Sequence, residues 1–334
     1  MSDMDVRMIL RAYDHLCPLH LGDVETPGIR LELDHKSMLT NEFPAGIVAA
    51  EVSFNRYVLA IARGDDRLIG LPAYVLRGFR HRNYLVRRDS PLESLADLKG
   101  KRVGTNSWSD TGTMWARAAL REAGVEVSDV NWVIGDLDAR TPMKPATSMD
   151  VPAPEGSIHL KPGQTLLDGV RDGSVDAVTT AFMPDPVYQP DGEFRRLVRN
   201  YRQVESGYHQ RTGVYPGFHI VALRRDFAER NPQAAVTIYD ALRKAWDIWW
   251  IKARKFAETS PWAMDEIETM IREFPQDTPP FGTGQEAHKR MLATICNEQF
   301  VQGLIPRAAQ PEDLFADFER IEQTVRGRLS AEAG

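Results

Sequence analysis

Residues 6–12 alternate apolar and polar side chains and run into Tyr13-Asp14, the pattern of a strand whose C-terminal end opens onto a loop. Residues 29–33 alternate again, as a half-buried strand does. A short apolar run at 46–50 follows, and Ser53 then fits the N-cap of a helix reaching Ala62. Residues 65–71 lead through Pro72 into a long extended stretch, 73–88, rich in Tyr, Val and Phe. The succession strand, helix, strand, helix predicts a mostly parallel sheet.

The middle of the chain continues the alternation. Residues 91–100 read as a short helix closed by Gly100, 101–105 as a strand and 106–112 as a polar turn. Helical periodicity over 113–122 carries Met114, Ala118 and Leu120 to one face, with Gly124 as the stop. Strands follow at 130–134 and 175–181, separated by a short helix at 166–171 that ends near Gly173. Between Asp136 and Gly163 stand five prolines and little periodicity, a loop length that marks a lid over a cleft or an arm onto a partner subunit. Residues 219–224 form a further strand.

Asn231-Pro232 is a cap followed by an N1 proline, opening a helix to about Phe256. Ala235, Ile238, Leu242, Ala245 and Trp249 recur on it at three- and four-residue steps, an apolar stripe. Its tryptophans Trp246, Trp249 and Trp250 suit core or subunit packing better than an aromatic ligand box. Residues 265–274, 285–302 and 311–326 read as helices. Two α/β lobes around a cleft, joined by paired crossovers, are the fold class this order predicts. Lobe 1 takes residues 1–86 and 219–334, and lobe 2 takes residues 87–218.

A chain of 334 residues exceeds the size at which single cores stop growing, which also favours two lobes. The formal charge of −6, with no basic stripe, argues against a nucleic-acid partner. No run approaches the roughly 20 apolar residues of a membrane helix, and the acidic Met1-Ser2-Asp3-Met4-Asp5 start lacks an export signal, so a cytoplasmic location is expected. Cys17 and Cys296 give no disulfide framework. The eight histidines include no His-x-His or His-Glu-x-x-His spacing, so no metal is expected. Nothing resembles a glycine-rich phosphate loop or a Gly-x-Ser-x-Gly elbow, so no cofactor is expected either.

Candidate chemistry clusters in a few places. Arg77, Arg80 and His81 lie within five residues, and a guanidinium fork matches carboxylate geometry. Alternate residues of an extended segment face opposite sides, so Arg80 and His81 share a cleft only where the strand ends or bulges. Ser109, Thr111 and Thr113 sit in the turn before a helix, whose free N–H groups suit a carboxylate, while Asp110 is expected to turn away and cap the helix. His219, at a hinge mouth, is placed to donate a proton near neutral pH. Glu51, at a strand end, either orients that histidine, donates a proton itself or caps a helix.

These segments in this order resemble the 4,5-dihydroxyphthalate decarboxylase family. The resemblance runs through Tyr13-Asp14, Glu51-Val52-Ser53, Phe79-Arg80-His81, Trp115-Ala116-Arg117 and Tyr215-Pro216-Gly217-Phe218-His219. His15 stands where that family usually carries arginine, and Val48 where an aspartate is common. The resemblance implies a type II periplasmic-binding-protein-like fold and a cofactor-independent carboxy-lyase acting on a hydroxylated aromatic carboxylate such as 4,5-dihydroxyphthalate. It implies catalytic roles for His219, Glu51 and His81, with Arg80, Arg77, Tyr13, Asp14, Ser53, Ser109, Thr111, Thr113 and Arg117 around the substrate. The expected partner is a small aromatic carboxylate, with a homo-oligomer left open. A non-catalytic solute-binding protein is the competing reading, since it shares the fold and the anion clamp.

Overall fold

The computed structural model describes residues 3–36, 40–143, 147–256, 261–274 and 279–332. Its strands are β1 (Met4–Ile9), β2 (Ile29–Asp34), β3 (Ala49–Ser53), β4 (Leu68–Arg77), β5 (Tyr84–Arg87), β6 (Arg102–Thr105), β7 (Asn131–Ile134), β8 (Ile158–His159), β9 (Ala177–Thr179), β10 (Phe194–Arg196) and β11 (Gly217–Arg224). The α-helices are α1 (Cys17–His20), α2 (Phe54–Ala62), α3 (Thr111–Glu122), α4 (Leu166–Asp172), α5 (Tyr201–Thr212), α6 (Arg225–Arg230), α7 (Pro232–Phe256), α8 (Ala263–Glu273), α9 (Glu286–Val301) and α10 (Ala316–Glu332).

The chain divides into two α/β units. The first comprises Met1–Arg77, Gly217–Ala293 and Ala309–Gly334, and the second Gly78–Pro216 and Thr294–Ala308. The division falls at Arg77/Gly78 rather than at the expected 86/87, because β4 ends at Arg77 and β5 already pairs with β9 and β10. Residues 294–308 also leave the terminal segment expected to form lobe 1. The side chain of Gln302 explains why: it bonds Arg117 and the Met114 carbonyl of α3.

Unit 1 holds a sheet in the order β2-β1-β3-β11-β4. The β1, β2 and β3 pairings are parallel, but β11 returns antiparallel between β3 and β4, so the sheet is mixed rather than mostly parallel. Ser53 caps α2 as expected: its backbone is extended and its side chain accepts from the Arg56 N–H. Val6, Met8, Val221 and Leu223 of the sheet pack with Ala235, Ile238, Leu242 and Ala245 of α7, so the predicted stripe faces the core. Trp246 joins that core, with Trp249 and Trp250 packed against it.

Unit 2 holds a sheet in the order β10-β5-β9-β6-β7-β8, again mixed. The stretch expected to be extended to residue 88 breaks after Arg77. Arg80 adopts φ −121°, ψ 0°, and His81–Asn83 forms a 3-10 turn before β5. Asn83 fixes the break, its amide donating to the Thr180 and Ala181 carbonyls. The predicted helix at 91–100 is a 3-10 turn, Leu95–Leu98, held by a Ser94–Asp97 capping box. Helix α5 gives little apolar signal because it buries only Glu205 and Tyr208, and it stops at Gly213 with φ 65°. Within the proline-rich stretch, Pro145 and its neighbours 144–146 lie outside the described residues. The remainder is tied down by β8 pairing with β7 and by Val151 bonding Ser109.

Candidate active site

The C-terminal ends of parallel strands collect ligand sites in open α/β sheets, and β1, β3 and β4 of unit 1 deliver Tyr13, Glu51 and Arg77 there. Strand β11 runs the other way and contributes His219 near its start. Val221 pairs with Glu51, so His219, two residues earlier, is the diagonal neighbour of Glu51 on the same sheet face. The β11–β4 register shifts on both sides of His219, and such an irregularity re-aims a side chain. At Gly217 a Cβ would meet the Met291 sulfur at 2.9 Å, and the Gly217 N–H donates to that sulfur.

Glu51 is 0% exposed in a fully buried strand, and a buried carboxylate needs partners. It has three. His219 Nδ1 lies 2.5 Å from Oε1, the Tyr13 hydroxyl donates to the same oxygen at 2.6 Å, and the Arg11 N–H donates to Oε2 at 3.3 Å. Burial pushes the Glu51 carboxyl up, but the hydrogen bond and charge of His219, with Tyr13 and Arg11, hold it below the usual range. Burial and the Glu51 charge push the Tyr13 phenol far up, so Tyr13 stays a donor.

An ionised carboxylate only accepts, so the His219 Nδ1 carries a proton toward Glu51. The second ring nitrogen, Nε2, takes no part in this pairing, on a side chain 12% exposed. Of the alternatives for Glu51, the orienting role matches the geometry.

Other residues of unit 1 divide by role. His15 stacks on Tyr13 with ring centroids 5.7 Å apart and planes 9° apart. Burial lowers its pKa to about 4, assisted by the Arg77 charge, so the ring is neutral at neutral pH. Arg77 therefore belongs with the Tyr13–Glu51–His219 group, opposite Gly217 in the β4–β11 register. Asp14 heads a 3-10 turn and is exposed. Ser53 serves the α2 cap through its hydroxyl oxygen. His15 was absent from the sequence candidates; the signal for it was the i, i+2 spacing from Tyr13, ambiguous without the turn at 14–16.

Unit 2 collects the remaining candidates. The Arg80 guanidinium donates to the Ala181 carbonyl at 2.9 Å and lies over Gly112 in the first turn of α3, where a Cβ would meet it at 2.7 Å. Burial lowers its pKa to about 10, opposed by the charge of Asp110, so it remains a cation. Asp110 takes the N-cap place with its carbonyl accepting from Met114, but its charge acts on Arg80. Thr111 and Thr113 are buried, and Ser109 exchanges hydrogen bonds with the Val151 backbone.

Two expectations require correction. Arg117 is 0% exposed, donates to Gln302 and the Trp108 carbonyl, and stacks 3.8 Å over the Trp108 ring, so these contacts brace α3, with Nη1 buried and unbonded. His81 is 2% exposed, and neither ring nitrogen has a hydrogen-bond partner. It packs edge-on to Tyr208, and burial, with the charges of Arg211 and Arg82, lowers its pKa to about 4. It is a neutral core imidazole of unit 2. Among the described residues no group of three or more His, Cys, Asp or Glu is arranged to hold a metal. No described helix is long and apolar enough to cross a membrane.

Residues 78–147 match the family model described as NMT1/THI5 like. A curated 4,5-dihydroxyphthalate decarboxylase of Comamonas testosteroni is 26% identical over 325 residues, covering 94% of this chain and 97% of that protein. A protein of the same name from Pseudomonas putida is 27% identical over 215 residues, 63% of this chain and 83% of that protein. The crystal structure of the periplasmic aliphatic sulphonate binding protein SsuA from Escherichia coli superposes with a TM-score of 0.52 at 16% identity, covering 94% of this chain and 99% of that one. The chain is thus a relative of the 4,5-dihydroxyphthalate decarboxylases, built as two α/β lobes of the periplasmic-binding-protein type.

Proposed function

We propose that the protein is a cofactor-independent decarboxylase of a hydroxylated aromatic carboxylate such as 4,5-dihydroxyphthalate, releasing CO2 and protocatechuate. The observation that carries this reading is the buried Glu51 holding His219 by Nδ1, with Nε2 left to deliver a proton. The curated decarboxylase of Comamonas testosteroni, similar over 94% of this chain, supports the reaction class.

The chemistry follows from the substrate. Each carboxylate of 4,5-dihydroxyphthalate has a hydroxyl para to it, and electron release from that hydroxyl lets the ring carbon accept a proton. His219 Nε2–H gives up that proton, the carbon–carboxylate bond breaks, and its electron pair restores the aromatic ring. The imidazole is left neutral and takes its next proton from solvent. The phenol does the electronic work, so the reaction calls on no organic cofactor. In this scheme Arg77, which lies opposite Gly217 in the same unit as His219, holds a carboxylate oxygen.

Purified protein incubated with 4,5-dihydroxyphthalate should release CO2 and protocatechuate in equal amounts. The competing reading is a solute-binding protein for a small aromatic carboxylate, favoured by the fold shared with a sulphonate-binding protein. Tight binding of several hydroxylated aromatic acids with no product from any of them would establish that reading and overturn the decarboxylase.

A further inference from the structure

Tyr13 lies beyond the end of β1, on extended backbone with φ −67° and ψ 147°, and no strand ladder holds it. A tyrosine there turns about two torsions. Its hydroxyl donates to Glu51 Oε1 at 2.6 Å and lies 3.3 Å from His219 Nδ1. That nitrogen already directs its proton at Glu51. Whether the Tyr13 hydroxyl stays on Glu51 therefore depends on what fixes the Tyr13 ring.

The neighbour that fixes it is His15. One face of the imidazole stacks on Tyr13. Its edges meet Trp246 at 5.5 Å and 67° and Trp249 at 6.0 Å and 72°, both on the long helix α7. It also interacts with the Val75 backbone of β4. The ring thus joins Tyr13 to the sheet of unit 1 and to the helix packed on it.

We propose that His15 is a positioning residue: wedged between Tyr13 and the tryptophans of α7, it holds the Tyr13 phenol on Glu51 and thereby keeps His219 in one orientation. This rests on the reading of His219 as proton donor. A planar ring suits the place, because it lies flat against Tyr13. The charged groups facing His15 are Arg77 and Glu51, and Arg77 opposes its protonation.

The test uses the full chain as His15→Ala, His15→Leu and His15→Phe. The first readout is independent of turnover: the Nδ1 proton of His219, followed by nuclear magnetic resonance on histidine-labelled protein and assigned with His219→Gln. In the parent this proton should resonate far downfield, as expected for a hydrogen bond to a buried carboxylate. His15→Phe keeps a stacked ring and should keep the signal and turnover. His15→Leu, which fills the space without a planar face, should lose the signal and lower kcat by roughly 10- to 100-fold while KM moves less. His15→Ala should behave like His15→Leu; if it fails to fold, the Leu and Phe pair decides. An unchanged His219 signal in folded His15→Leu would overturn the proposal. A signal that responds as described, in a protein that converts no aromatic acid even as the parent, would uphold the role of His15 and sink the decarboxylase reading instead.

Discussion

Glu51 and His219 sit one diagonal step apart across the antiparallel β3–β11 pairing, with Oε1 and Nδ1 separated by 2.5 Å. The fold brings the pair together by inserting β11 between β3 and β4, which places a residue far along the chain against one near its start. Because Glu51 is fully buried and held by three donors, the pair is built before any ligand arrives. Preorganisation of this kind limits the rearrangement left for the reaction itself.

Removing the donor should remove the chemistry. His219→Gln is expected to lower kcat by about 10²–10⁴-fold with the fold intact, judged by circular dichroism and thermal unfolding. Near-parental turnover would take His219 out of the mechanism.

Glu51→Gln keeps the size of the side chain and deletes its charge. An amide oxygen still accepts from His219, but the carboxylate charge beside the imidazole is gone. The prediction is a loss of roughly 10–100-fold in kcat with the fold intact. Turnover equal to the parent's would show that the Glu51 charge is not used.

Gly112→Ala separates Arg80 from the stability of α3. A Cβ there meets the Arg80 guanidinium at 2.7 Å, and a long flexible side chain can yield. Alanine should leave helix stability unchanged or raised by about 0.5–1 kcal/mol, while displacing Arg80. If Arg80 holds a carboxylate, KM should rise with kcat little altered, and Arg80→Met should weaken binding by roughly 2–5 kcal/mol. Unchanged KM in both variants would exclude Arg80 from the substrate.

The buried histidines predict how stability depends on pH. His81 has its pKa lowered from the ordinary 6.5 to about 4, so between those values the unfolded chain takes up a proton that the native chain refuses. Stability is complete above pH 6.5 and falls as the pH drops toward 4, by on the order of 3 kcal/mol for His81. His15 acts in the same direction. His81→Phe should flatten the decline in the urea midpoint between pH 7 and pH 4.5. A slope identical to the parent's would show that His81 titrates alike in the native and unfolded chains.

Much of the architecture was legible in the sequence because its signals are local. The Ser53 cap, the Asn231-Pro232 start and the three- and four-residue apolar steps of α7 each follow from a few consecutive residues, and each appears where expected. The elements that were missed lack such signals. Helix α5 buries only two side chains, and the break after Arg77 depends on Asn83 reaching the Thr180 and Ala181 carbonyls. The site divides in the same way. Glu51, His219 and Tyr13 were recognisable as residue types, whereas the buried, bracing place of Arg117 depends on Gln302 arriving from a distant segment.

By itself the sequence determined two α/β lobes, most helix and strand positions and the residue types available for acid and anion chemistry, because periodicity, caps and turn residues act over a few positions. Only the tertiary structure decided that Tyr13 and Glu51 share His219, that His15 packs beside them, and that His81 and Arg117 are interior. Those outcomes depend on which strands pair and which distant segments meet; a one-residue slip of β11 against β3 would turn His219 to the face opposite Glu51.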